Sequence, residues 1–172
     1  HSTGGVGDKP SMILVPLVSV VTEKYIGYGK VKIPMVSGRG LGHSGGTLDK
    51  LESVPGFSPM IPIGTAMELL QRNFFFMMGQ TKDLAPADRL IYALRDVTGT
   101  VPSIPLIVSS ILSKKLSENL DGIIFDVKVG NGAFMKTKPE ARELAKKLVA
   151  VSKKNKVNAV ALLTNMDEPL GY

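Results

Sequence analysis

The spacing of apolar residues along the chain predicts an alternation of helices and strands. Helical patterns run over residues 11–21, 65–72, 87–97, 103–116 and 139–154, with a single helical turn at 47–53. Continuous apolar runs with branched or aromatic residues predict buried strands at 33–36, 74–78, 122–129 and 157–163. This order predicts an α/β fold with a central, mostly parallel sheet and flanking helices.

Two segments depart from the simple alternation of helices and strands. Residues 22–32 are polar and contain two glycines, which is typical of either a loop or an extension of the first helix. The helices at 87–97 and 103–116 follow each other without an intervening strand. This helical pair indicates an insertion that leaves the sheet.

Composition excludes several kinds of site. The 172 residues, 44% hydrophobic, are enough to bury a core, and they include no Cys, which excludes disulfides, zinc ribbons and thiol nucleophiles. His1 and His43 are the only imidazoles, so a multi-histidine metal site is also excluded. The net charge of +6 comes from dispersed lysines, so we expect no nucleic-acid partner. The longest apolar run, 12–21, contains Pro16 and is too short to cross a bilayer, so we expect no membrane partner.

The two ends of the chain suggest a piece of a longer protein. The first residue is His1 rather than Met, and it stands inside a glycine-rich motif. The last residues, 169–172, have the composition of a loop. We therefore expect a fragment of a longer α/β protein.

A glycine-rich loop at residues 1–7 is a candidate anion site. Its glycines allow backbone amides to approach a ligand, and Ser2, Thr3 and Ser11 add hydroxyl donors. The helix that follows contributes the positive end of its dipole. Phosphate is the anion that this chemistry favours, although a tight structural turn explains one such loop equally well.

A second loop, residues 37–47, strengthens the phosphate interpretation. It combines five glycines with hydroxyls at Ser37 and Thr47, and it follows a predicted strand. Two such loops at strand ends favour one shared anion cradle. Arg39 and His43 are less specific, because a loop arginine binds the loop's own carbonyls as readily as a ligand.

The helix at 103–116 carries a third pattern. One face presents two apolar residues, a hydroxyl and an ammonium, at the positions Ile107, Ser110, Ile111 and Lys114. Such a face suits a flat, hydrogen-bonding ligand such as a nucleobase. The alternative is an ordinary helix edge from which Lys114 reaches into water.

The candidate chemistry is that of anion binding. The loops hold few carboxylates, and the chain lacks a nucleophile elbow and an HExxH motif. Hydroxyls, amides and cations bind anions and stabilise developing negative charge. A bound phosphate could therefore be the nucleophile.

Five motifs resemble the thymidine phosphorylase and pyrimidine-nucleoside phosphorylase family. They are HSTGGVGD at 1–8, the stretch from IPMVSGRG to ESVPGF at 33–57, residues 79–116, DVKVGNGAFM at 126–135 and TNMDEPLGY at 164–172. The resemblance covers essentially the whole chain. It implies a pentosyltransferase that uses inorganic phosphate to split thymidine, with uridine as a second candidate substrate, into the free base and (deoxy)ribose 1-phosphate.

The resemblance also implies the site residues. The phosphate ligands would be Ser2, Ser11, Ser37 and Thr47, with the backbone before Ser37. The base would be held by Arg95, Ser110 and Lys114, inside a wall of Tyr92, Leu41, Ile107, Ile111 and Phe134. Arg95 and Lys114 would stabilise charge on the departing base, with His1 as a proton donor. A potassium ion would be bound at Gly7, Lys9 and Leu170; no organic cofactor is implied.

Domain organisation and assembly follow from the same resemblance. Residues 1–86 would form the phosphate-binding part of the α/β domain, 87–117 a helical pair of a separate α-helical domain, and 118–172 a truncated continuation of the α/β domain. The two half-sites would face each other across a closing cleft. The full-length protein would be a cytoplasmic homodimer of nucleotide salvage, joined through its helical domain.

Two alternatives remain open at this stage. A related glycine-loop phosphoribosyltransferase would need acidic residues for magnesium pyrophosphate, for which residues 167–168 are a poor substitute. An inactive piece would bind phosphate or base without turnover.

Overall fold

The computed structural model describes residues 1–6, 9–40 and 45–168. Its helices are α1 (Pro10–Tyr25), α2 (Thr47–Leu51), α3 (Ile63–Asn73), α4 (Pro86–Val97), α5 (Ile104–Ser117) and α6 (Lys138–Lys154). Its strands are β1 (Ile33–Ser37), β2 (Phe75–Gly79), β3 (Gly122–Val129) and β4 (Asn158–Asn165). The predicted α/β class is confirmed. Residues 22–25 extend α1. Within this extension the Thr22 hydroxyl donates a hydrogen bond to the Val18 carbonyl at 2.7 Å.

The strands form two parallel pairs, β1 with β2 and β3 with β4. In the described part of the chain these pairs do not join into the one central sheet that the sequence predicts. The N-terminal segment lies along β3, where the Asp126 amide donates to the His1 carbonyl at 2.8 Å. The Thr3 amide returns a hydrogen bond to the Asp126 carbonyl at 2.9 Å. The parallel strands therefore present the first glycine loop at an edge of β3.

The larger apolar core joins α5, β3, α6 and Ala159 of β4. Phe125 and Val127 of β3 are fully buried against Leu144 and Leu148 of α6. The buried residues of α5 that enter the same cluster are Ile107, Val108, Ile111 and Leu112. A smaller cluster around Val36 and Met78 supports β1 and β2.

The packing of α5 bears on the predicted domains. Because α5 shares its core with β3 and α6, it is held against the α/β part of the chain in this conformation. The division into 1–86, 87–117 and 118–172 stays a prediction. None of the described helices is long and apolar enough to cross a membrane.

Candidate active site

A cleft lies between the glycine loops and the helices α4 and α5. The loop side consists of residues 1–4, 37–40 and 45–47. The helical side consists of Tyr92, Arg95, Val101, Ile107, Ser110, Ile111 and Lys114, and Phe134 completes the lining. The sequence-predicted phosphate and base residues therefore meet at one cleft, apart from the exceptions named below.

The first loop is fixed by its contacts with β3. The Thr3 hydroxyl accepts a hydrogen bond from the Lys128 amide at 3.0 Å. This bond adds to the two backbone hydrogen bonds by which Asp126 is joined to His1 and Thr3. Ser2 is buried, and its hydroxyl accepts from the Gly4 amide at 3.1 Å. Gly4 has φ +85°, a conformation that favours glycine. The chain thus turns into the cleft with the Ser2 hydroxyl at the turn.

The second loop is closed by a single carboxylate. Asp49 accepts hydrogen bonds from the amides of Gly40 and Gly46, each at 2.8 Å. A Cβ at Gly46 would lie 2.4 Å from the carbonyl carbon of Arg39, so only glycine fits where the two limbs meet. Partial burial favours a higher pKa for Asp49, but the two amides and the neighbouring guanidinium lower it below its ordinary value. Asp49 is therefore a carboxylate at neutral pH, held by the two loop amides and by Arg39.

Buried hydroxyls stand at the two ends of this loop. Ser37 ends β1 and Thr47 begins α2, and each is more than nine-tenths buried. A strand end and a helix start bring these positions to the cleft. Leu41 and His43, which the sequence also singled out, lie outside the described residues.

Arg39 binds the loop's own acids. Its guanidinium is 3.1 Å from Asp49 and 2.6 Å from Glu52, and its side chain is about half exposed. The hydrogen bond to Glu52, then the one to Asp49, raises the pKa of Arg39 above its ordinary value. The observed acceptors are carboxylates in and just after α2, and not the carbonyls of the loop that the sequence analysis considered. A contact between Arg39 and a ligand stays a prediction.

Two predicted phosphate contacts are placed differently. Ser11 is buried on α1 and is not among the described residues that line the cleft. The backbone before Ser37 is occupied: the Val36 amide donates to Glu118 at 3.0 Å, and the Val36 carbonyl accepts from Lys115 at 3.2 Å. The predicted use of that backbone by phosphate is therefore not what the structure favours, since both polar groups of Val36 already have partners.

Lys114 is the most constrained cation of the helical side. It is 4% exposed, so the alternative of a side chain that reaches into water is wrong. Its ammonium donates to Asp88 at 2.7 Å, to the Ser110 hydroxyl at 2.9 Å and to the Ser110 carbonyl at 2.5 Å. Burial lowers the pKa of Lys114 below its ordinary value, against the opposing effect of Asp88.

Asp88 is a site residue that the sequence reading missed. It is 6% exposed at the start of α4 and forms a buried ion pair with Lys114. Asp88, Tyr92 and Arg95 follow the i, i+4, i+7 spacing of one helix face. That spacing was the available signal, since it aligns an acid, an aromatic ring and a cation.

Tyr92 connects the two sides of the cleft. Its hydroxyl donates to the Arg39 carbonyl at 2.7 Å, which ties α4 to the second glycine loop. Its ring centroid lies 5.4 Å from the Lys114 ammonium and 5.6 Å from the Arg95 guanidinium, within cation–π range. Burial raises the pKa of Tyr92 to about 12, so the phenol keeps its proton at neutral pH.

Arg95 retains an unused donor. Its guanidinium donates to the Val101 carbonyl, and only 5% of the residue is exposed. Among the described residues, its Nε has no hydrogen-bond partner although it is buried. Burial lowers the pKa of Arg95 from its ordinary value, yet the group stays a cation. A buried donor without a partner, in a cleft wall, fits a ligand acceptor.

The comparisons identify the relatives of this chain. A family model, the a/b domain of a glycosyl transferase family, matches residues 1–172. The chain belongs to this family. It is 51% identical over 170 residues to a thymidine phosphorylase of Agrobacterium fabrum (strain C58 / ATCC 33970), covering 99% of this chain and 37% of the relative. It is 49% identical over 171 residues to pyrimidine-nucleoside phosphorylases of Staphylococcus aureus (strain bovine RF122 / ET3-1) and Staphylococcus haemolyticus (strain JCSC1435), covering 99% of this chain and 38% of each relative.

These relatives confirm the resemblance drawn from the five motifs. The chain spans less than two fifths of the length of these glycosyl transferase relatives. Of the three residues in the potassium prediction, only Lys9 is among the described residues, since Gly7 and Leu170 lie outside them. Lys9 stands at the start of α1, where its carbonyl accepts from the Met12 amide at 3.1 Å. The potassium site stays a prediction.

Proposed function

We propose that the intact protein catalyses the phosphorolysis of pyrimidine nucleosides. The observation that carries the proposal is the meeting of two kinds of wall in one cleft, a hydroxyl-lined glycine cradle and a buried cationic helix face. The relatives are named for this activity. Inorganic phosphate is the second substrate, and the products are the free base and ribose or deoxyribose 1-phosphate.

The loop side supplies the phosphate half-site. Ser2, Ser37 and Thr47 offer hydroxyls from three separate segments. The amides of Gly4, Gly40 and Gly46 already donate within the loops, so the hydroxyls are the groups that we assign to phosphate. Arg39 also lines the cleft, but its guanidinium is paired with Asp49 and Glu52. Neutral hydroxyl donors bind an anion through hydrogen bonds.

The helical side supplies the base half-site. Ile107 and Ile111 offer apolar contact for a flat ring, while Ser110, Lys114 and Arg95 offer donors at its edge. A carbonyl oxygen of the base replaces the Ser110 carbonyl as a partner of Lys114, and Asp88 keeps the ammonium in place. The free Nε of Arg95 provides a second donor to the same ring.

The reaction then follows from the charges. The bond between C1′ and the base nitrogen breaks, and its electron pair leaves with the base. Lys114 and Arg95 stabilise that negative charge in a buried site. A phosphate oxygen held by the loops forms the new bond to C1′, and His1, which lines the cleft, is the proton donor to a carbonyl oxygen of the departing base.

The predicted closing motion concerns the two sides of the cleft. The cleft has a volume of about 100 Å³, and it adjoins a cavity of about 700 Å³ that shares Ser37, Gly38, Arg39 and Tyr92 with it. Closure of the helical side over bound nucleoside and phosphate would bring the two half-sites together.

Assembly and location complete the proposal. In α4 the exposed apolar side chains are Leu90, Ile91, Leu94 and Val97. They support the homodimer that the resemblance implies, with contacts through the helical pair. The cytoplasmic location, the role in nucleotide salvage and the potassium ion rest on the resemblance alone.

The direct test is base release followed by ultraviolet absorbance. The intact protein is mixed with thymidine or uridine, with and without inorganic phosphate. We expect release that requires phosphate and saturates with it. Release without phosphate, or no release from any pyrimidine nucleoside, would reject the proposed function.

We also expect an alkaline limit on activity that belongs to Lys114. Only the protonated ammonium stabilises the leaving base, and its pKa is below 10.5 in the folded protein. The value of kcat/KM should therefore fall as pH rises toward 10.5, and Lys114→Arg should move this decline to higher pH. Ionisation of the substrate is common to both proteins, so the difference between the two profiles reports on Lys114. Superimposable profiles would contradict the assignment.

A further inference from the structure

The last turn of α5 is tied to β1 by a buried ion pair. Lys115 donates to Glu118, the residue after α5, at 2.7 Å, and both side chains are at most 3% exposed. The Val36 amide donates to the same Glu118 oxygen at 3.0 Å, and Lys115 donates to the Val36 carbonyl at 3.2 Å. One carboxylate and one ammonium thus replace the two backbone partners that a neighbouring strand would offer to Val36.

This contact joins the two half-sites. Val36 is 1% exposed and immediately precedes Ser37, which lines the loop side of the cleft. Lys115 immediately follows Lys114, which lines the helical side. Successive helix residues point about 100° apart, so one turn of α5 serves the base half-site with Lys114 and β1 with Lys115.

Stability alone does not account for such a pair. Buried ion pairs are often replaced by apolar residues without loss of stability, because desolvation offsets the attraction between the charges. The other Glu118 oxygen is buried and has no hydrogen-bond partner among the described residues. A carboxylate that only filled space here would therefore cost stability. We attribute its role to the hydrogen bond that it accepts from the Val36 amide.

We propose that Lys115 and Glu118 are positioning residues that hold the end of β1, and with it the Ser37 hydroxyl, in register with the base half-site on α5. The inference rests on the proposed function, because it assigns Ser37 to phosphate. The pair acts through the Val36 backbone and does not touch substrate. Its loss moves the phosphate half-site while the base half-site keeps its own support from Asp88 and Tyr92.

The test removes both charges together in the intact protein. The double variant Lys115→Met/Glu118→Leu keeps similar side-chain volumes, and the matched control is Lys147→Met/Glu143→Leu, an exposed pair on α6 at 2.6 Å. We expect the first double variant to bind inorganic phosphate about tenfold more weakly by calorimetry and to raise the phosphate KM by a similar factor. The nucleoside KM should stay within about twofold, and the control should match wild type.

A second readout follows the strand itself. Hydrogen exchange of the peptide covering β1 should become faster in the Lys115→Met/Glu118→Leu variant, because the Val36 amide loses its acceptor. If that variant does not fold, Lys115→Met/Glu118→Gln removes both charges while leaving a neutral oxygen for the Val36 amide. Phosphate binding should still weaken selectively, because the hydrogen bond from Lys115 to the Val36 carbonyl is lost.

Three outcomes would overturn the proposal. The first is unchanged phosphate affinity in a folded variant. The second is a parallel loss of melting temperature, phosphate affinity and nucleoside affinity, which marks a purely structural role. The third is absence of phosphate binding by the wild-type protein. Failure of the proposed function is a separate result, seen as wild-type protein that binds phosphate but releases no base.

Discussion

Replacing Lys114 by methionine is expected to lower kcat/KM for nucleoside phosphorolysis by about 30- to 5,000-fold, or about 2–5 kcal/mol of transition-state stabilisation. The ammonium is one of the two buried cations of the helical side, with Arg95, and in the proposed reaction negative charge develops on the base only as the bond to C1′ breaks. The loss should therefore fall mainly on kcat. Steady-state kinetics with saturating phosphate measures it.

The control for this substitution is Lys147→Met, which removes an exposed lysine from α6. We expect wild-type kinetics from that variant, since its ion pair is exposed and remote from the cleft lining. Near wild-type rates from Lys114→Met would remove Lys114 from the mechanism. A rise in KM with unchanged kcat would instead assign it to uniform substrate binding.

Asp88→Leu is expected to destabilise the fold by about 3–5 kcal/mol, because it leaves the Lys114 charge buried without its partner. The same change should lower the pKa of Lys114 further and reduce activity. Denaturant unfolding of wild-type and variant protein at neutral pH measures the free energy of unfolding. The magnitude rests on the pair being buried on both sides, with each side chain about 5% exposed.

A double variant separates stability from catalysis. Asp88→Leu combined with Lys114→Met removes both charges, so the free energy of unfolding should return most of the way to the wild-type value. Activity should stay as low as in Lys114→Met alone. Additive destabilisation in the double variant would show that the ion pair is not what couples these residues.

The sequence predicted the elements of this fold well, because local patterns determine them. The branched residues of β3 and the helical spacing of α6 are properties of short segments. The arrangement of strands was less accessible. The strands form two pairs in the described chain; the His1 segment lies along one edge of β3, and Lys115 with Glu118 binds the backbone of Val36. Those contacts join residues at least 79 positions apart, which no local pattern encodes.

Some residues of the candidate site were likewise predictable from local sequence patterns, and others were not. Ser2, Ser37 and Thr47 were predictable from glycine loops, and Ser110 with Lys114 from one helix face; all five line the cleft. Asp88 was missed because an acid in the first turn of a helix is ordinary on its own. Only the fold shows that Asp88 faces Lys114 from a different helix. The unpartnered Nε of Arg95 is likewise visible only once its surroundings are known.

The central claim is that phosphate, held by the loops, is the group that attacks C1′. The most direct measurement uses inorganic phosphate labelled throughout with ¹⁸O, the intact protein and thymidine, with mass spectrometry of the sugar product. We expect deoxyribose 1-phosphate that retains all of the label, including the oxygen bound to C1′. Free deoxyribose formed without any deoxyribose 1-phosphate, or sugar phosphate that has lost the bridging label, would contradict this claim.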